Sequence, residues 1–173
     1  MTLSELKTIV KNYVENDETT FVATLDDMIQ ITEDRLLELI QFDFFRRNVT
    51  GSLTAGSSYL TTPSDFLLSF SLAIIDSNND YHFLDKKHTS FMREYSNDAV
   101  ATSERGRPLY YADFDKELST AVNNGSTLIV SPVPDENYEV ELHYLHKPTS
   151  LTSQTTGTWI SKNARNALLY GSL

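Results

Sequence analysis

The chain of 173 residues contains no cysteine, so it offers no disulfide, no thiolate metal ligand and no thiol nucleophile. Its fold has to stand on packing alone. Basic residues are the minority: 14 Lys and Arg against 24 Asp and Glu give a formal net charge of −10, and no stretch gathers the cations into a stripe. Affinity for nucleic acid comes mainly from neutralising phosphates, so a chain this acidic is not expected to grip DNA. An acidic wall instead repels phosphates and lets a duplex slide past. Long apolar runs are also missing. The longest, Phe66 to Ile75, is interrupted by Ser69 and Ser71 and is about half the length that a bilayer span requires. The opening residues, Met1 to Lys7, have neither a basic n-region nor an apolar h-region, which predicts a protein made in the cytoplasm with no membrane partner. Gly-x-Ser-x-Gly, a phosphate-cradling glycine loop and the dinucleotide fingerprint do not occur.

What the sequence does hold is 40% hydrophobic residues, enough for a core, in three blocks of different texture. Thr2 and Glu5 have the spacing of a reciprocal helix cap, and Leu3, Leu6, Ile9, Val10, Tyr13 and Val14 follow at helical intervals, predicting a helix from Leu3 to Glu15. Thr24 with Asp27 repeats the signal. The face Leu25, Met28, Ile29, Thr32, Leu36, Leu39 and Ile40 then predicts a second helix from Leu25 to Phe42, with Leu36, Leu39 and Ile40 buried. From Phe44 onward β-formers dominate. Residues 44–54 and 59–61 flank the turn formers Ala55 to Ser58 and read as a hairpin. Leu67 to Ile75 reads as a strand that returns after Asp76–Asp80 as Tyr81 to Leu84, and Lys87 to Ser96 as a short helix. Further strands fall at Leu109–Asp113, Thr127–Ser131 and Tyr138–Leu145, the last alternating Tyr138, Val140, Leu142 and Tyr144 with polar neighbours. A Ser/Thr-rich stretch from Thr149 to Thr158 leads to a final helix starting near Asn163. The order predicts an α+β protein. Its parts are an N-terminal helical hairpin (1–43), a small antiparallel β domain, sandwich or barrel-like, with a short helix near 87–96 (44–148), and a linker with a C-terminal helix packing on the helical part or on a partner (149–173).

Candidate chemistry is thin. Asp76, Asn78 and Asp80 have the spacing of the first ligands of a calcium loop, but the sixth position is Tyr81 where glycine is needed and the twelfth is Lys87 where a bidentate glutamate is needed. His143 and His146, with His82 and His88 elsewhere, invite a zinc reading. Residues three apart on a strand point to opposite faces and do not chelate one ion. Asp113, Asp115 and Glu117 could share a strand face and serve a metal-dependent phosphodiesterase or hydrolase, yet no phosphate-binding constellation accompanies them. The sequence therefore assigns no catalytic, cofactor-binding or metal residue. Its candidate partner-interface residues are Trp159, Leu168, Leu169 and Tyr170 near the C-terminus. Arg46 and Arg47 join them as surface or subunit-interface arginines.

The ordered series of segments resembles the small head-to-tail adaptor (head completion, neck, connector) proteins of tailed bacteriophages. It runs from Leu3-Ser-Glu-Leu-Lys-Thr-Ile-Val-Lys through Ile31-Thr-Glu-Asp-Arg-Leu-Leu, Asn48-Val-Thr-Gly-Ser-Leu-Thr and Tyr59-Leu-Thr-Thr-Pro-Ser-Asp-Phe-Leu to Leu109-Tyr-Tyr-Ala. Its most specific part is Leu128-Ile-Val-Ser-Pro-Val-Pro-Asp-Glu-Asn-Tyr-Glu-Val-Glu-Leu-His-Tyr, followed by Pro148-Thr-Ser-Leu and Asn166-Ala-Leu-Leu-Tyr-Gly-Ser-Leu. The resemblance implies a structural virion protein rather than an enzyme. It also implies a homo-oligomeric ring, usually of twelve subunits, docked on the portal protein and presenting a platform to the tail nozzle or another tail protein. Genomic DNA would cross the lumen without sequence-specific binding. The competing readings are the metal-dependent hydrolase above and a tail fibre or baseplate binding module.

Overall fold

The computed structural model describes residues 1–40, 43–95, 102–116 and 126–173. The chain divides into two compact units, Met1–Phe42 with Pro148–Leu173, and Asp43–Lys147. It is α+β, with N-terminal helices, two mainly antiparallel sheets and C-terminal helices.

In the first unit, α1 (Leu3–Val14) starts on the expected reciprocal cap. The Thr2 hydroxyl accepts from the Glu5 amide at 3.3 Å, and the Glu5 carboxylate accepts from the Thr2 amide at 2.9 Å. Leu6 and Val10 are buried. The second helix, α2 (Thr19–Leu39), begins before the Thr24 signal: Glu18 is its N-cap without a side-chain bond, and the Thr24 hydroxyl donates to Phe21 O within the helix. The buried positions also differ from those expected. Leu25, Ile29, Thr32, Glu33 and Leu37 are buried, Leu36 is half-buried, and Leu39 and Ile40 are exposed, Leu39 by 72%. A single stripe assumes one packing partner along the helix. Here α1 and α2 are tied by a 2.7 Å Lys7–Asp26 ion pair, whereas the later part of α2 meets residues of the C-terminal segment on another azimuth.

That C-terminal segment is pinned rather than a bare spacer. Glu33, 5% exposed, accepts from the Ser150 hydroxyl at 2.6 Å and from the Leu151 amide at 3.1 Å. It thereby caps the 3-10 turn Leu151–Ser153, and Gln30 donates to Thr152 at 2.7 Å. Two short helices follow, Trp159–Asn163 and Arg165–Gly171. The Thr158 hydroxyl caps the first of these on the Ser161 amide, and the Ser161 hydroxyl donates to Met1 O at 2.7 Å. Two glycines permit these approaches. A Cβ at Gly157 would lie 2.7 Å from Met1 O, and one at Gly171 would strike the Thr32 methyl.

The second unit packs two four-stranded sheets that do not close into a barrel. Its strands are β1 (Arg46–Leu53), β2 (Tyr59–Thr61), β3 (Phe66–Ile75), β4 (Tyr81–Phe83), β5 (Asp85–Lys86), β6 (Tyr110–Lys116), β7 (Ser126–Ser131) and β8 (Tyr138–His146), with α3 (Thr89–Tyr95) between β5 and β6. The orders are β1-β8-β3-β4 and β2-β7-β6-β5. The expected pairing of 44–54 with 59–61 does not form. β1 pairs with β8 and β2 with β7, so the turn at Gly56 (φ 78°) carries the chain from one sheet to the other. The β3–β4 hairpin is present, and β5 adds to β6 in parallel. The core between the sheets includes Leu53, Leu72, Ile74, Tyr111, Leu128, Val130, Val140, Leu142 and Tyr144. On the other side of the second sheet, Met92 of α3 packs on Ala112 and Ile129. The helices after β8 are α4 (Trp159–Asn163) and α5 (Arg165–Gly171).

These burial differences set a test of the α2 register. Leu37→Ala removes a buried side chain and destabilises the protein by about 2–5 kcal/mol. Leu39→Ala changes stability by less than about 0.5 kcal/mol. The urea midpoint of the helical circular-dichroism signal reads both.

Candidate interaction surfaces

Strand alternation sends the two arginines of β1 in opposite directions, as their partners show. Arg46 lies 2.6 Å from Asp43 and its guanidinium stands 4.3 Å from the Phe70 ring centroid. Arg47 lies 3.3 Å from Asp65, whose other oxygen accepts the Tyr144 hydroxyl at 3.0 Å. Burial, reinforced by that bond to a carboxylate, pushes the Tyr144 phenol above its usual range. Both arginine side chains remain well exposed. Such exposed pairs add little stability and are free to exchange partners.

The C-terminal candidates separate by burial. Leu168 is fully buried within its own unit and presents no surface, which corrects its place among the interface residues. Trp159 and Leu169 are half-buried, and Tyr170 is 63% exposed with its ring edge-on to Tyr13, centroids 6.4 Å apart. Other large apolar side chains that point to solvent carry no sequence signal beyond their type: Ile31 on α2, Phe44 before β1, and Phe83 on β4, 70% exposed and stacked on Tyr81.

The groups weighed for chemistry are engaged structurally. Asp113 accepts from Ser69 at 3.0 Å and lies 2.6 Å from Lys86, which itself donates to the Ser69 oxygen at 2.8 Å. The three side chains thus form one bonded cluster between β3, β5 and β6. A register irregularity falls between Asp113 and Asp115 in the pairing of β6 with β7. Glu117 lies outside the described residues. His143 packs against Phe70, while His146 is buried with Nδ1 2.7 Å from Phe45 O. Among the described residues no group of three or more His, Cys, Asp or Glu could hold a metal ion. No described helix is long and apolar enough to cross a membrane.

The calcium-like loop is a self-bonded turn. One Asp76 oxygen accepts from the amides of Asn78 (2.8 Å) and Asp80 (3.0 Å), and the other lies 2.9 Å from His82 Nε2. The His82 bond, then the two backbone bonds, lower the Asp76 pKa. A depressed carboxyl pKa contributes stability above the unfolded value that is lost as pH falls through the folded one. Amide exchange at Asp80 should therefore accelerate, relative to its intrinsic rate, as the pH drops below the ordinary aspartate range. Asp76→Asn should flatten that dependence while keeping the hairpin. An unchanged profile in the variant would assign the effect to other groups.

Among curated proteins no sequence matches the chain. A family model does, and over the full span of residues 1–173: its description is SU10 adaptor protein. The helices, the two sheets and the pinned C-terminal segment all fall within that match. The chain belongs to the SU10 adaptor protein family, a phage adaptor-type family of structural proteins.

Proposed function

We propose that the chain is a head-to-tail adaptor subunit. In this reading it assembles as a homo-oligomeric ring, of twelve copies as in proteins it resembles, between the portal protein and the tail nozzle or next tail component, with genomic DNA passing through the lumen. The observation that carries this reading is the adaptor-family match along the whole chain. Two physical features support it. Tyr13, Ile31, Leu39, Phe44, Phe83 and Tyr170 are each more than 60% exposed, and side chains of this size and chemistry serve as anchors when partners cover them. The net charge of −10 suits a wall that DNA crosses without sticking.

For the partner contacts we favour Tyr170 with Trp159 and Leu169 in the first unit, and Arg46 and Arg47 in the second. The arginines are suited to carboxylates on a neighbour because their present pairs are solvent-exposed. Mixing the purified chain with portal-bearing, tail-less capsids tests the proposal. The chain should sediment with the capsids as a multimer, and Tyr170→Ala combined with Trp159→Ala should weaken that attachment by about tenfold or more. A chain that remains monomeric and leaves such capsids bare would overturn the proposal.

A further inference from the structure

The β unit has an opening at one edge and an exposed aromatic pair at the other. Between the edge strands β1 and β2 lies a cavity of about 260 Å³. Val49, Gly51, Leu60, Pro63, Val140 and Leu142 line it together with three threonines, and Leu60, Val140 and Leu142 are members of the main core. The opening thus gives access to the interior apolar surface of the sandwich. A Cβ at Gly51 would sit 3.7 Å from Val140 Cγ2, in ordinary contact. That position therefore accepts a side chain, directed at the cavity wall.

The opposite edge of the first sheet is β4. Among the described residues it pairs only with β3, and it displays Phe83 and Tyr81, 70% and 50% exposed. The two edges also differ in charge. Residues 46–53 contain Arg46 and Arg47 and no carboxylate, whereas the turn and strand from 76 to 84 contain Asp76 and Asp80 and neither lysine nor arginine. Glu139 and Glu141 stand in register beside Ile75 and Ala73, and those residues in turn pair with Tyr81 and Phe83. An apolar knob with acidic flanks thus occupies one edge, and a hole with apolar and threonine walls, on the Arg47 face of β1, occupies the other. Such a pair is self-complementary only between two copies related head to tail, the relation that closes rings.

We propose that successive copies of this chain lock through these edges, with Phe83 of one copy seated in the β1–β2 opening of the next. Asp80 then faces Arg47 of the neighbour, the arginine that shares its face of β1 with Val49 and Gly51. The inference rests on the ring reading above and names the contact that would build the ring. It also gives the exposed phenylalanine an occupation that β4 alone does not supply, since an apolar edge strand left open is a liability for uncontrolled pairing.

The absence of cysteine allows a direct test on the full chain. Phe83→Cys and Gly51→Cys, purified separately, mixed and oxidised, should give a disulfide between unlike partners. The double variant should give a ladder of cross-linked multimers. Phe83→Ser, and independently Gly51→Val, which plugs the opening, should each weaken association about tenfold or more while preserving the circular-dichroism spectrum. A wild-type multimer of defined mass that resists both substitutions and forms no mixed disulfide would overturn this contact and leave the ring reading standing. Disulfides formed only between two Phe83→Cys copies would overturn it too, by showing a two-fold contact. A wild-type chain that stays monomeric even with portal-bearing capsids would overturn both.

Discussion

The first sheet of the β unit hangs on β8. This strand hydrogen-bonds β1 along one side and β3 along the other, and its inward residues Val140, Leu142 and Tyr144 form part of the shared core. Without it, β1 would have no partner in its sheet and β3 only the short β4. The C-terminal end of the strand also fixes one end of the layer. Tyr144 bonds Asp65, which holds Arg47, and His146 bonds Phe45 O just before β1. A one-residue slip of β8 would turn its apolar face outward, so one register places the arginines, the β1–β2 opening and the β4 aromatics together.

In the first unit a buried carboxylate has the corresponding role. Glu33 accepts from the Ser150 hydroxyl and the Leu151 amide, and a polar group this buried is kept by its hydrogen bonds. It binds the C-terminal segment to α2, close to where Gly171 allows α5 to approach Thr32. The result is a helical unit assembled from both ends of the chain, with Tyr170 and Tyr13 meeting at its surface. Each of the two units carries exposed apolar side chains, Tyr13, Ile31 and Tyr170 on the first and Phe44 and Phe83 on the second.

Local signals in the sequence were reliable where the structure is local. The Thr2–Glu5 cap, the β3–β4 hairpin around Asp76 and the alternation of β8 are each set by neighbouring residues. Two readings failed because their outcome depends on distant residues. Residues 44–54 and 59–61 have hairpin chemistry, but the pairing of β1 with β8 and of β2 with β7 takes them into different sheets. The apolar spacing on α2 fits one face, yet its buried side follows two packing partners, which leaves Leu39 and Ile40 in solvent. The same limit applies to function. The divergence of Arg46 and Arg47 was legible from strand alternation. The β1–β2 opening was not, because its walls come from three segments far apart in the chain. The Ser69–Lys86–Asp113 cluster was likewise invisible until β3, β5 and β6 were placed side by side.

The role proposed for this chain is that of a structural subunit placed between portal and tail. Imaging the neck of intact virions by electron cryomicroscopy, at a resolution that separates strands, tests it most directly. The account predicts a closed ring of this chain against the portal, with the duplex running through its lumen. Finding the chain instead at a fibre tip or baseplate, or missing from the finished particle, would contradict it.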